Sequence, residues 1–238
     1  MIWNQSRTFR ALQAGYGTHE AIRFFEGTAR EGFTEEERCI AETYVVPGDS
    51  LLLVGGGGGR DALMWSQRGN PIVILDLTPE MLQLSRQTLR GLGGSFVLGN
   101  GISIPLKKGS VDHVVFCDAV YRDIPAKKRR QKALVNAAAI LTNGFLFLYC
   151  GWISVSPLLP AGSFFQNLRV VKQWLSGNFS AREPGDALLR RIVPDSDLEQ
   201  PQFCHFFQSQ EEVGRELRET GLEIVDRIGG IWVLRPRR

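Results

Sequence analysis

A chain of 238 residues with 43% hydrophobic and 22% charged side chains has the make-up of a globular protein, not of a disordered or fibrous one. Its net charge of +3 is too small to argue for a nucleic-acid partner by itself. The four cysteines (Cys39, Cys117, Cys150 and Cys204) lack Cys-x-x-Cys spacing, which argues against a metal finger, and no metal site is expected. Cys117 and Cys150 each close an apolar run, so buried free thiols and a reducing compartment are expected. The stretch Met1 to Arg7 lacks the apolar core of a secretion signal, and the run from Gly144 to Ser156 is too short to span a bilayer. A soluble, cytoplasmic protein without membrane association is therefore expected.

Residues 1–47 read as helical. Tyr16 to Phe25 carries an aromatic face behind a cap, and Thr34-Glu35-Glu36-Glu37 is a capping box for a helix running toward Val45, ended by Pro47-Gly48. Ahead of a ligand-binding sheet, such a segment would serve as a lid. Leu51-Leu52-Leu53-Val54 then reads as a buried strand that runs directly into five glycines, Gly55 to Gly59. Glycine costs backbone entropy, so five at a strand end point to a turn that must approach a ligand closely, with helix N-terminal amides beyond it. A flexible linker would be polar on both sides, whereas this run lies between Leu51–Val54 and Ala62–Trp65.

Beyond the glycines the pattern alternates. A helix from Arg60 to Arg68 precedes the strand Ile72–Leu75, which ends in Asp76; Thr78-Pro79 opens a helix reaching Gly91. Ser95–Leu98 is a third strand, followed by the loop Gly99-Asn100-Gly101-Ile102. Val111–Cys117 is a fourth strand and ends in Asp118. A helix from near Ala126 to Leu141 leads to a fifth strand, Phe145–Cys150. The strands are near-continuous apolar runs rather than alternating ones, as expected of a parallel sheet covered on both faces. Residues 152–204, with five prolines and a helical stretch from Phe164 to Leu175, read as an insertion after strand five. Ser209-Gln210-Glu211-Glu212 caps a last helix ending at Thr220-Gly221, and Leu222–Val225 and Ile231–Leu234 are too close together for anything but an antiparallel pair. The expected fold is therefore α/β: a seven-stranded, mostly parallel sheet with helices on both faces and the last strand antiparallel. An N-terminal helical cap (1–47) precedes the main domain (48–238), which carries an insertion at about 152–204.

Two ligands suit the glycines. Gly57-x-Gly59-x-x-Ala62, with Asp76 further on, fits a relaxed dinucleotide fingerprint and would make an NAD(P)-binding oxidoreductase. Gly55, Gly57 and Gly59 also match G-x-G-x-G, and with Asp76-Leu77-Thr78-Pro79-Glu80-Met81-Leu82, the Asn100 loop and the closing antiparallel pair, residues 45–238 resemble the class I (Rossmann-like) S-adenosylmethionine-dependent methyltransferases. The resemblance implies S-adenosyl-L-methionine as cofactor, held by Gly55, Gly56, Gly57 and Gly59, by Asp76 at the ribose with Leu77 beside it, and by Asn100, Gly101 and Ile102 around the adenine. It implies a transferase acting on a small-molecule acceptor.

The chain departs from the family pattern at Leu53, where an acid usually stands, and at Asn100, where a carboxylate is common. Asp118, on the same sheet edge, is a candidate to replace the first. A methyl sulfonium is already electrophilic, so in-line positioning and exclusion of water are the main requirements and no fixed catalytic set is expected. His205 is the candidate base for a hydroxyl acceptor, with packing among aromatics as the alternative. Tyr121 is placed to face the acceptor or simply to begin the next helix. Asp118-Ala119-Val120-Tyr121 lacks the Asn/Asp-Pro-Pro-aromatic motif of enzymes acting on exocyclic amines. The basic run Lys127-Lys128-Arg129-Arg130-Gln131-Lys132 opposes the helix dipole at its start, and reads as a solvated surface or as a contact for RNA or an acidic partner. With no broader basic face, nucleic acid is disfavoured. The acceptor would enter between the N-terminal helices and the insertion, past Tyr16, Phe24, Trp152, Phe164, Phe165 and Trp174. A non-catalytic binding or scaffold protein of the same fold remains the other class of function.

Overall fold

Seven strands form one sheet in the computed structural model, which describes residues 5–118, 120–150, 186–192 and 199–237. The first four are β1 (Leu51–Val54), β2 (Ile72–Asp76), β3 (Ser95–Leu98) and β4 (His113–Phe116). The others are β5 (Leu146–Tyr149), β8 (Leu222–Ile228) and β9 (Ile231–Pro236), in the order β3-β2-β1-β4-β5-β9-β8. The pairs among β1 to β5 are parallel, while β9 runs antiparallel to both β5 and β8. The expected architecture is thus present, with β9 inserted between β5 and β8 so that the edge strand β8 regains the common direction.

Alternation along each strand divides the core. Leu52, Val54, Val114, Phe116, Leu146 and Leu148 face one way, against Leu134 and Ala137 of α7 (Lys127–Ala139) and Val213 and Leu217 of α8 (Gln210–Arg218). Leu51, Leu53, Ile74, Val115 and Phe147 face the other way. There they meet Ile40 and Ala41 of α3 (Glu35–Tyr44), Ala62 and Trp65 of α4 (Arg60–Gln67), and Leu82 of α5 (Pro79–Thr88). Burying both faces of a parallel sheet is why the middles of β1, β2, β4 and β5 are apolar, with polar residues such as Asp76 and His113 at strand ends.

Local signals acted largely as expected. The Thr34 hydroxyl accepts the Glu37 amide while the Glu37 carboxylate accepts the Thr34 amide, closing the capping box at 3.2 and 2.7 Å. Thr78, by contrast, makes no side-chain cap; its amide is taken by Asp76. The N-terminal region forms two helices before α3, namely α1 (Gln5–Tyr16) and α2 (His19–Thr28), the latter capped by Thr18. A short helix α6 (Val120–Asp123) follows β4 and stands apart from α7, so Tyr121 does lie at the start of a helix.

The insertion holds an element the sequence did not disclose. β6 (Asp186–Ile192) and β7 (Glu199–His205) pair antiparallel as a separate ribbon, with Pro201 opposite Arg190, and β7 packs on α1 and α6. A proline is tolerated there because each strand of a two-stranded ribbon is an edge. The helical stretch expected over Phe164–Leu175 lies outside the described residues. The basic run is only partly solvated: Arg130 is 1% exposed and forks onto Glu216 of α8 at 2.7 and 2.8 Å, while Lys127 and Gln131 both reach Glu219. Among the described residues no helix is long and apolar enough to cross a membrane. All four cysteines are free thiols, and Cys117, Cys150 and Cys204 are buried.

Candidate functional site

The glycine loop leaves the C-terminal edge of the sheet between β1 and α4. The Gly55 amide donates to the Leu75 carbonyl at 2.7 Å, extending the β1–β2 ladder by one step. Its φ is +74°, and a Cβ there would overlap Val120 of α6, so both backbone and space require glycine. Gly57, at φ +50°, turns its amide onto Asp76 Oδ2 at 2.9 Å. The other oxygen of Asp76 accepts the Thr78 amide at 2.9 Å. Asp76 therefore clamps the loop to the start of α5. The Thr78 hydroxyl and the Leu77 amide also donate to this carboxylate, which borders a chamber beside the loop. Burial pushes this carboxyl above its ordinary pKa, and the Thr78 and Gly57 amides act in the opposite sense. From α5, Ser85 and Thr88 donate hydroxyls to the Gly57 and Gly58 carbonyls at 2.5 and 2.7 Å, so the loop is held from both sides.

Among the described residues, two chambers open on the loop. The first, about 140 Å³, has Val54, Gly55 and Leu75 as its floor and Asp76, Asn100 and Ile102 as walls. Its roof is Leu12 and Tyr16 of α1 with Phe25 of α2. That roof is pinned where Gln13 donates to the Leu77 carbonyl and the Tyr16 hydroxyl donates to Asp123, each at 3.1 Å. Asn100 Oδ1 accepts the amides of Ile102 and Ser103 at 3.0 and 3.1 Å, so the oxygen that would take an adenine amine already holds its own loop. Asn136 of α7, which no sequence signal singled out, steadies the same loop by donating to the Ile102 carbonyl at 2.6 Å.

The second chamber is larger, about 560 Å³, and charged. Thr34, which caps α3, Glu37 of α3, Arg60 and Asp61 of α4, Cys117 and Tyr149 line it beside Gly55 to Gly58. Arg60 reaches both oxygens of Glu37 at 2.8 and 2.6 Å and Asp61 Oδ1 at 2.6 Å. Burial raises the pKa of Asp61, and it raises those of the Cys117 thiol and the Tyr149 phenol, on which nearby carboxylates act in the same direction. Gly55, Gly57, Phe25 and Asp118 border both chambers.

Of the ten residues the sequence offered for a cofactor, eight line the first chamber: Gly55, Gly57, Asp76, Leu77, Asn100, Gly101, Ile102 and Asp118. Gly56 borders the second chamber instead. Gly59 borders neither, standing at φ +89° as the residue before α4, with Ser85 against it. The Asp118 side chain is 84% exposed and lies 3.4 Å from Arg122. The two catalytic candidates border neither chamber. Tyr121 is fully buried and donates its hydroxyl to Glu216 at 2.7 Å, so it turns away from the site toward α8. His205, at the end of β7, is 2% exposed, with Nδ1 2.7 Å from Asp186 and its ring against Phe207. Of the expected acceptor-side residues, Tyr16 borders the first chamber and Phe24 the second, whereas Trp152, Phe164, Phe165 and Trp174 lie outside the described residues. The sequence missed Phe25, Glu37, Arg60 and Asp61 as site residues, because each has an ordinary helical role.

Comparison with known proteins bears on the family and the fold. A family model described as a methyltransferase domain matches residues 52–148. A malonyl-[acyl-carrier protein] O-methyltransferase from Serratia marcescens is 36% identical over 93 residues, which is 38% of this chain and 35% of that protein. The match thus spans about a third of the length of that curated relative. The Burkholderia thailandensis 1,6-didemethyltoxoflavin-N1-methyltransferase, solved with 1,6-didemethyltoxoflavin and S-adenosylhomocysteine, superposes with a TM-score of 0.65 at 14% identity, covering 100% of this chain and 92% of its own. A Rhodobacter sphaeroides structure described as a zinc-dependent alcohol dehydrogenase gives 0.68 at 12% identity, with 100% of both chains covered. At such identities the two structures establish the fold alone.

Proposed function

Residues 52–148 belong to the methyltransferase-domain family, and from that premise we propose that the protein is an S-adenosylmethionine-dependent methyltransferase acting on a small-molecule acceptor. The observation that carries the reading is the first chamber. It brings a glycine turn at positive φ, an acid at the end of β2, and the Asn100–Ile102 loop to one apolar cavity.

The donor supplies a methyl group already activated by its sulfonium. The protein's part is to hold and to shield. Asp76, at the end of β2, accepts the ribose hydroxyls. Gly101 and Ile102 flank the adenine, and Asn100, its oxygen occupied, serves by shaping the loop. The Gly55–Gly57 backbone faces the methionine part without Cβ atoms to keep it away. Helices α1 and α2 form the lid: Leu12, Tyr16 and Phe25 roof the nucleoside and exclude water, leaving the acceptor side open along the loop toward the second chamber. Positioning of this kind needs no general base for an amine, thiol or carboxylate acceptor.

Titration calorimetry of the full chain is the test. Binding of S-adenosylmethionine and S-adenosylhomocysteine, with none of NAD or NADP, is expected. Binding of a dinucleotide alone would select the oxidoreductase, and binding of neither class would leave a scaffold of this fold. A malonyl ester on a carrier protein, the acceptor named for the Serratia marcescens relative, is one acceptor to assay by methyl incorporation.

A further inference from the structure

We propose that Asp61 is the acceptor for the ammonium group of the methyl donor, standing in for the acid that Leu53 lacks. The proposal rests on the methyltransferase reading above and goes one step beyond it.

Leu53 is fully buried and packs against α3 and α4, with Ala62 and Trp65 beside it. An acid at that position would project onto the same face of the sheet. Asp61 comes from the first turn of α4 on that face, and its carboxylate contacts the thiol of Cys117, one residue beyond the end of β4. Since Leu53 is paired with Val115, and the Cys117 amide donates to the Val54 carbonyl at 3.1 Å, the carboxylate sits over the β1–β4 junction at the sheet edge. Gly55 to Gly58 border the same chamber. Asp118, the substitute that the sequence offered, is 84% exposed, against 14% for the Asp61 side chain. An exposed carboxylate contributes far less to holding a cation than a sheltered one.

The local charge balance leaves room for a ligand cation. Glu37 and Asp61 share one guanidinium, that of Arg60. Both Glu37 oxygens are bonded by it, and one also accepts the Thr34 amide. Asp61 gives Arg60 a single oxygen. The Glu37–Arg60–Asp61 cluster thus carries one net negative charge, and Glu31, Glu36 and Asp118 border the same chamber, so its field favours an ammonium group.

The test compares two ligands on the full chain. S-adenosylhomocysteine carries the amino-acid end; 5′-methylthioadenosine has the same nucleoside and sulfur without it. Asp61→Asn is expected to weaken S-adenosylhomocysteine at least tenfold and to leave 5′-methylthioadenosine within twofold of the parent, whereas Asp118→Asn changes both by less than threefold. Because burial penalises the charged form of Asp61, the asparagine variant is also expected to melt no lower than the parent at neutral pH, which a purely structural role would contradict. Unchanged S-adenosylhomocysteine affinity in Asp61→Asn, or equal loss of both ligands, would overturn the assignment while sparing the methyltransferase reading. A parent protein that binds neither ligand would overturn both.

Discussion

The two chambers that meet at the glycine loop are built differently. The first is small and apolar, and most of its walls follow from short stretches of chain: a strand end, a glycine turn and an Asx-type loop. The second is four times larger and charged. Its walls converge from α3, α4 and the ends of β4 and β5, elements far apart in sequence. A nucleoside poses nearly the same physical problem in every protein that binds it, namely a planar base, two vicinal hydroxyls and a tight backbone approach. One local solution therefore suffices. The other chamber faces whatever the particular chemistry requires, and it holds the Glu37–Arg60–Asp61 cluster.

If that division is correct, damage to the first chamber should not distinguish ligands by their amino-acid end. Asp76→Ala carries the largest expected effect. Two hydrogen bonds to a charged acceptor are worth about 3 kcal/mol together, so affinity for S-adenosylhomocysteine and for 5′-methylthioadenosine should fall about a hundredfold alike, with circular dichroism unchanged. Loss of only the first ligand would put Asp76 at the amino-acid end and dissolve the division. A smaller effect is expected where the chambers share a wall. A Cβ on Gly58 would lie 2.9 Å from the Phe25 Cβ and 3.1 Å from its carbonyl oxygen. Gly58→Ala should thus push α2 off the loop, costing about 1–3 kcal/mol of stability and weakening both ligands. A variant as stable and as tight-binding as the parent would mean that Phe25 does not seat the lid.

Sequence legibility follows the same division. The strands, Asp76 and the need for glycine at 55 and 57 could be read because each depends on neighbours a few residues away. Glu37 was also read correctly as half of a capping box, yet its bond to Arg60, 23 residues on, had no local sign. Asp61 was passed over because an acid in the first turn of a helix is explained by the dipole alone. Tyr121 misled for the complementary reason: an aromatic after the fourth strand is placed to face an acceptor, but its partner Glu216 lies 95 residues away in α8. The β6–β7 ribbon escaped because Glu199-Gln200-Pro201-Gln202 shows no apolar alternation.

The smallest effect is expected at the roof. The Tyr16 hydroxyl donates to Asp123 at 3.1 Å and so ties the last turn of α1 to α6, across the top of the first chamber. Tyr16→Phe keeps the ring over the cavity and removes only this tie, a net loss of about 0.5–1.5 kcal/mol. Since the tie holds the lid and does not touch the donor, its loss should appear as faster ligand release, a few-fold by stopped-flow, with little change in association rate. Both ligands should respond equally, because Tyr16 borders the first chamber and not the second. A release rate unchanged for both would show that α1 stays seated through Gln13 and the apolar contacts alone. A change confined to S-adenosylhomocysteine would show that the roof reaches the amino-acid end, and the two chambers would then be one.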